Sequence, residues 1–374
     1  MPAMISIEQA KKAKSLHPVF IWGYTCAHMK MNSPDGEIVL CIAGSNTGHR
    51  FLEELATLDC RAVLLTIDEH RDAGWPLDAI DELHSMPAGM TLEQITNTVT
   101  YLARSRRFAR IVALDRFNVE VAATLREHLR IPGMGTTTAR YFSDKLAARI
   151  KAAHLGMRVP AFTSVANYDE LRLFMQSVPT PWLLTPRGVL LGCATRELND
   201  SEQVWRCLDE LGDRQSSFFL EQSVAGDRFH VDSITADGSV VFSAVSPYRE
   251  AFFERAQAGE LLPISTAPYG IADDERLRRV NTALLSGMRL VRGVTRTEFL
   301  RSQVTREFYF METSASVEDG CVADMMKETQ DLNLWVEWAR LEVAALRGSR
   351  YALPSNGIHR NTLGKSSEGQ HRLA

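Results

Sequence analysis

Between Glu37 and Arg130 short apolar runs alternate with stretches of helical periodicity. "EIVLCIA", "RAVLLTI" and "ARIVALD" read as strands, and "HRFLEELATL", "TLEQITNTVTYLARS" and "NVEVAATLREHL" as the helices that follow them. A strand covered on both faces becomes a nearly continuous apolar run, whereas a covering helix shows its apolar residues three and four apart. Parallel strands joined by helices close with one handedness. The spacing therefore predicts a parallel sheet with right-handed crossovers in an N-terminal α/β lobe over residues 1–135. The loop after the first strand, "AGSNTGHR", lacks the lysine and spacing of a phosphate cradle and reads as a plain strand-to-helix turn. The absence of a GxGxxG fingerprint there argues against a dinucleotide-dependent oxidoreductase.

The style changes after "RIPGMGTTTAR". A helix "YFSDKLAARIKAAHLG", an extended "VPAFTSV", a helix "NYDELRLFM", and the strands "PWLLTPRG" and "SSFFLEQSV" around "SEQVWRCLDEL" predict a small α+β lobe over 136–225. Residues 226–348 predict an antiparallel lobe. Its first hairpin turns at Asp237 and Gly238, its second is "GVTRTEFLRSQVTREFYFMETS", and the helix "LNLWVEWARLEVAAL" closes it. The polar stretch 349–374 is expected to be a frayed tail. At 374 residues, several lobes suit the length better than one core.

A formal net charge of -4 leaves no global basic field, which disfavours nucleic acid as the main partner and favours small molecules. The six cysteines show no CxxC spacing, and no apolar run reaches the ~18 residues of a membrane span. The N-terminal stretch lacks a continuous apolar signal region. Reduced thiols, no membrane association and a cytoplasmic location are the expectation.

"FYFMETSAS", Phe308 to Ser316, poses the sharpest local problem. At period two Phe308, Phe310, Glu312 and Ser314 share a face, and a carboxylate among phenylalanines is costly unless it has a partner. If the hairpin turns about Thr305, Glu298 and Glu312 oppose each other across it, which destabilises a sheet. A divalent cation between them would reverse that sign. Arg296, Arg301 or Arg306 could instead neutralise the pair. In "RFHVDSI", His230 and Asp232 share one face, compatible with a structural Asp–His hydrogen bond or a catalytic role.

From about Ile111 to Ala345 the order of "IPGMG", "DKLAARIKAAHLGMRVP", "PWLLTPRG", "FFLEQSVAGDRFHVDSI", "GVTRTEFLRS", "FYFMETSAS" and "ADMMKETQDLNLWVEWARLEV" resembles the ATP-grasp superfamily, in particular its carboxylate–amine ligases of the amino-acid ligase type. The resemblance implies a Rossmann-like N-terminal sheet lobe, a small α+β lid, and a central antiparallel sheet, with ATP between lid and central sheet. It further implies that Lys145 reaches the nucleotide phosphates and that Glu221 and the backbone of Gln222 and Val224 read adenine. His230 lies near the nucleotide, and Glu298, Glu312 and Ser314 hold Mg²⁺ or Mn²⁺. The implied activity is ADP-forming amide or peptide ligation of a carboxylate to an amine through an acyl phosphate, with a homodimer among the assemblies open to it.

Several positions depart from the pattern. Thr185 stands where a second phosphate-binding lysine is usual, Arg228 where a ribose-binding glutamate is, and Ser316 where an arginine is. "VEDG" replaces a glycine-rich turn, "GVLLGCATREL" is bulkier than the usual phosphate-covering loop, and the tail replaces a further ordered segment. Arg187, two residues beyond Thr185, and Arg296, beside Glu298, are the candidates to restore lost charge. An alternative reading is a degenerate member that binds nucleotide or a partner without turnover.

Overall fold

The computed structural model describes residues 25–29, 36–188, 193–247, 273–317 and 332–354, of which 25–29 as backbone only. The expectations placed on 189–192, 318–320 and the tail beyond 354 lie outside the described residues. So does most of "SPYREAFFERAQAGELLPISTAPYG", the irregular segment expected to select substrates.

Strands β1 (Thr25–Met29), β2 (Ile38–Ala43), β3 (Arg61–Ile67), β4 (Glu82–Met86) and β5 (Phe108–Ala113) form one sheet in the order β1-β4-β3-β2-β5. The four from β2 to β5 are parallel and β1 is antiparallel to β4. The three predicted strands and the helices His49–Thr57, Leu92–Ala103 and Val119–Leu129 are present, but β4 was not foreseen. "ELHSM" has no apolar run because its polar side chains find partners in place. His84 Nε2 lies 2.9 Å from Glu82, and Arg106 forks onto the same carboxylate at 3.1 and 2.8 Å. The Thr91–Gln94 capping box starts the next helix.

A second sheet, β6 (Phe162–Ser164), β7 (Trp182–Pro186), β8 (Arg196–Leu198) and β9 (Phe218–Gln222), is antiparallel in the order β6-β9-β7-β8. The helices Tyr168–Ser177 and Ser201–Leu211 cover it through Leu171, Val204 and Leu208 against Leu184 and Leu220.

The third sheet is β10 (Gly226–Ala236), β11 (Ser239–Pro247), β12 (Gly293–Ser302) and β13 (Phe308–Ser314), antiparallel in the order β11-β10-β12-β13. Asp237 (φ 49°) and Gly238 (φ 76°) make the two-residue turn. Phe229, Val231, Phe299 and Phe310 share a core with Leu277, Leu284 and Leu285 of the Asp274–Gly287 helix. The shared-face expectation for β13 fails at one residue. Glu298 pairs with Glu312 while Phe299 pairs with Phe310, so Met311 is a bulge. Phe308 and Phe310 consequently join Phe299 on the core face, and Glu312 and Ser314 join Glu298 and Arg296 on the other. The costly mixture of carboxylate and phenylalanines is thereby avoided.

The Leu334–Leu346 helix ties the sheets together, Trp338 meeting Phe51 edge-on with ring centroids 5.3 Å apart. No described helix is long and apolar enough to cross a membrane. At the start of β10 a Cβ on Gly226 would lie 2.2 Å from the Arg301 carbonyl oxygen. Gly226→Ala is therefore expected to cost about 1–3 kcal/mol by overpacking, read as a lowered urea midpoint. An unchanged midpoint would show that the two strands separate freely there.

Candidate active site

The face of the central sheet opposite its phenylalanine core carries two polar rows. His230, Glu298 and Glu312 stand side by side across β10, β12 and β13, and Asp232, Arg296 and Ser314 form the next row. The second row is mostly structural. Arg296 donates to both oxygens of Asp232 at 2.8 and 3.1 Å, and His230 Nδ1 lies 2.9 Å from the same carboxylate. Burial opposes ionisation of Asp232, yet Arg296 and His230 hold its carboxyl well below the usual range. Arg296, expected from the sequence to restore charge near Glu298, is thus paired with Asp232 in the adjoining row. Arg301 pairs with Asp227 and Asp273 at 2.7 Å each.

The carboxylate row is balanced from other elements. Lys145 opens the Lys145–His154 helix, which packs over β13, and its Nζ lies 2.6 Å from Glu312 Oε2. Arg116, from the turn after β5, approaches Glu312 Oε1 at 3.5 Å, and Arg228 approaches Glu298 at 3.9 Å. Burial would raise the Glu312 carboxyl, but Lys145 and Arg116 bring it down to about 2. The opposed carboxylates therefore do not stand uncompensated, as the hairpin alone implied. A cavity of about 200 Å³ opens beside them, lined by Arg116, Asp144, Lys145 and Glu312.

Ser314 Oγ is buried and has no hydrogen-bond partner among the described residues. Two carboxylates and one hydroxyl suit a hard divalent ion that takes its remaining ligands from phosphate oxygens and water. Among the described residues no group of three or more His, Cys, Asp or Glu could hold a metal, so a site made wholly of protein side chains of those types is not present there.

On the lid side the geometry differs from the residue-by-residue expectation. Glu221 is buried, its two oxygens engaged by Arg149 Nη2 at 2.7 Å and Thr185 Oγ1 at 2.9 Å. Its carboxylate is turned to these two partners. Beside it in sequence, the Gln222 N–H is engaged by the Ala161 carbonyl at 2.8 Å, and Val224 follows just past the end of β9. Thr185 is likewise buried and turned to Glu221. Arg187 pairs with Asp144, the N-cap of the Lys145 helix, and its carbonyl accepts from the Lys145 N–H at 2.6 Å. Arg149, Arg116 and Asp144 were not singled out from the sequence. Arg149 lies four residues beyond Lys145, on the same helix face, and that spacing could have found it. Nothing local marks Arg116, which a crossover brings in.

No protein-family model matches the chain. Its sequence is 22% identical over 237 residues to the L-arginine-specific L-amino acid ligase of Bacillus subtilis, covering 61% of this chain and 56% of that one. The chain thus spans little more than half the length of this curated relative. An L-amino acid ligase structure from Bacillus licheniformis superposes with a TM-score of 0.65 at 16% identity, covering 84% of this chain and 75% of that one. The biotin carboxylase domain of the Hydrogenobacter thermophilus 2-oxoglutarate carboxylase, a dimer in complex with MgADP, ADP and bicarbonate, gives 0.67 at 14% identity, covering 87% and 72%. N5-carboxyaminoimidazole synthetase from Staphylococcus aureus gives 0.62 at 14%, covering 85% and 78%. The chain has the ATP-grasp fold. In sequence and in fold it resembles the amino-acid ligases.

Proposed function

We propose that the protein is an ATP-dependent carboxylate–amine ligase. The observation behind this reading is the meeting of Glu298, Glu312 and Lys145, contributed by β12, β13 and a helix N-terminus, beside an open cavity. Glu298, Glu312 and Ser314 would hold Mg²⁺, which supplies charge neutralisation at the phosphoryl group. Lys145, released from Glu312 when the ion takes its place, would swing to the phosphates as a point charge on a flexible stem. The substrate carboxylate oxygen attacks the γ-phosphorus and the bond to ADP breaks. The amine then attacks the acyl carbon, loses a proton, and phosphate leaves. Such chemistry needs positioning and charge more than any acid or base.

A second reading, a member that binds nucleotide without turnover, is favoured by one observation. The two lid residues nearest the missing lysine are occupied, Thr185 by Glu221 and Arg187 by Asp144. Melting curves and ADP release separate the readings. ATP with Mg²⁺ at ~100 times its dissociation constant should stabilise by about 2.7 kcal/mol, and ATP with chelator clearly less. ADP release across pairs of amino acids selects the ligase. Stabilisation without release under any pair selects the second reading, and no stabilisation removes both.

A further inference from the structure

A second cavity with unbalanced charge lies away from Glu312. It encloses about 340 Å³ at the junction of β5, the Val119–Leu129 helix, the turn before β12 and the Leu334–Leu346 helix. Arg110, Arg126 and Arg292 line it, with Glu342 as the carboxylate among them. Glu342 Oε2 lies 3.2 Å from Arg292 Nε and 3.8 Å from Arg110 Nε. Arg126 caps the free edge of β5, donating to the Ile111 carbonyl at 2.8 Å and to the Met134 carbonyl at 2.9 Å, acceptors that bring no compensating charge. With Arg289 at its rim, four arginines therefore line the cavity against one carboxylate.

Edge capping explains Arg126 but not the other donors. Arg110 Nε and Trp338 Nε1 are both buried without a hydrogen-bond partner among the described residues, on side chains from residues 7% and 5% exposed. Buried donors are normally satisfied, and buried charge is normally paired. Burial lowers the Arg126 guanidinium to about 10, Glu342 opposing the shift and Arg292 and Arg110 adding to it. Excess positive charge, two unmet donors and apolar walls from Ile111 and Met134 describe a receptor for a compact anion.

We propose that this pocket binds a small dianion, a phosphate group or a dicarboxylate, at a site separate from the one at Glu312. The inference does not depend on ligase activity. The test titrates inorganic phosphate and, separately, malonate into the full chain carrying Lys145→Met, which disables the phosphate-binding lysine elsewhere, at constant ionic strength with chloride as reference. Either probe should raise the melting temperature beyond chloride, and the one that does so more strongly identifies the source. Arg292→Gln should weaken its binding by about ten-fold or more, the loss of one charge-assisted contact. Glu342→Gln should move the affinity the other way, because the internal competitor for the arginines is gone. Arg292→Lys, which keeps the charge, guards against a folding failure and should fall between Arg292→Gln and the parent. No stabilisation by either probe, or affinities indifferent to both Arg292→Gln and Glu342→Gln, would overturn the proposal.

Discussion

Arg149→Met is expected to lower the unfolding free energy by about 3–5 kcal/mol. Arg149 is almost fully buried, donates to Glu221 at 2.7 Å, and reaches the Phe310 carbonyl oxygen at 2.5 Å. One guanidinium thus links the lid strand β9 to β13 of the central sheet. Its removal leaves Glu221 charged and buried, with Thr185 Oγ1 as its remaining partner among the bonds described here. Urea unfolding of the single variant and of Arg149→Met/Glu221→Met would check this. The double variant should recover most of the loss, because replacing both members of a buried pair by apolar groups is far cheaper than orphaning one. A single variant within about 1 kcal/mol of wild type would mean that water reaches Glu221 and the pair contributes little.

Under the proposed ligase reading, Glu312→Gln is expected to reduce ADP-forming turnover by about 10²–10³-fold, the usual loss when one group stabilising a transferring centre is removed. It should also lower the stability of the ligand-free protein by about 1–3 kcal/mol, since Lys145 and Arg116 lose their counter-charge in a partly exposed site. The pH dependence has a definite sign. The folded carboxyl lies at about 2 against an ordinary value of 4.5, so its contribution is complete above about pH 4.5 and is lost as the pH falls toward 2. The gap between wild type and variant should close over that window in acid melting curves. A gap independent of pH there would show that Glu312 is not held ionised by its neighbours.

Much of this fold was legible because its signals are local. Apolar runs and helical periods marked β2, β3 and β5, and the Asp237–Gly238 turn fixed one hairpin. The opposition of Glu298 and Glu312 followed from a hairpin centred near Thr305, and beyond the Met311 bulge β12 and β13 pair in that register. What escaped depends on residues distant in sequence. β4 hides because Arg106 satisfies Glu82. Thr185 and Glu221, read as faces toward a nucleotide, turn to each other and to Arg149, an arrangement visible only once the helix carrying Arg149 is laid across both sheets. Strict period two also misassigned the face of Glu312, because no composition rule announces a bulge.

That bulge makes the hairpin tolerant of one shortening and intolerant of others. Deleting Met311 would leave Phe310 and Glu312 as neighbours already on opposite faces, still opposite Phe299 and Glu298, so the ladder would become regular and no other side chain of β13 would change sides. Deleting Tyr309 instead would turn either Phe308 or Phe310 out of the phenylalanine layer, toward the face where Lys145 reaches down. Random libraries over β13 should therefore return viable chains that lack residue 311 and none that lack residue 309.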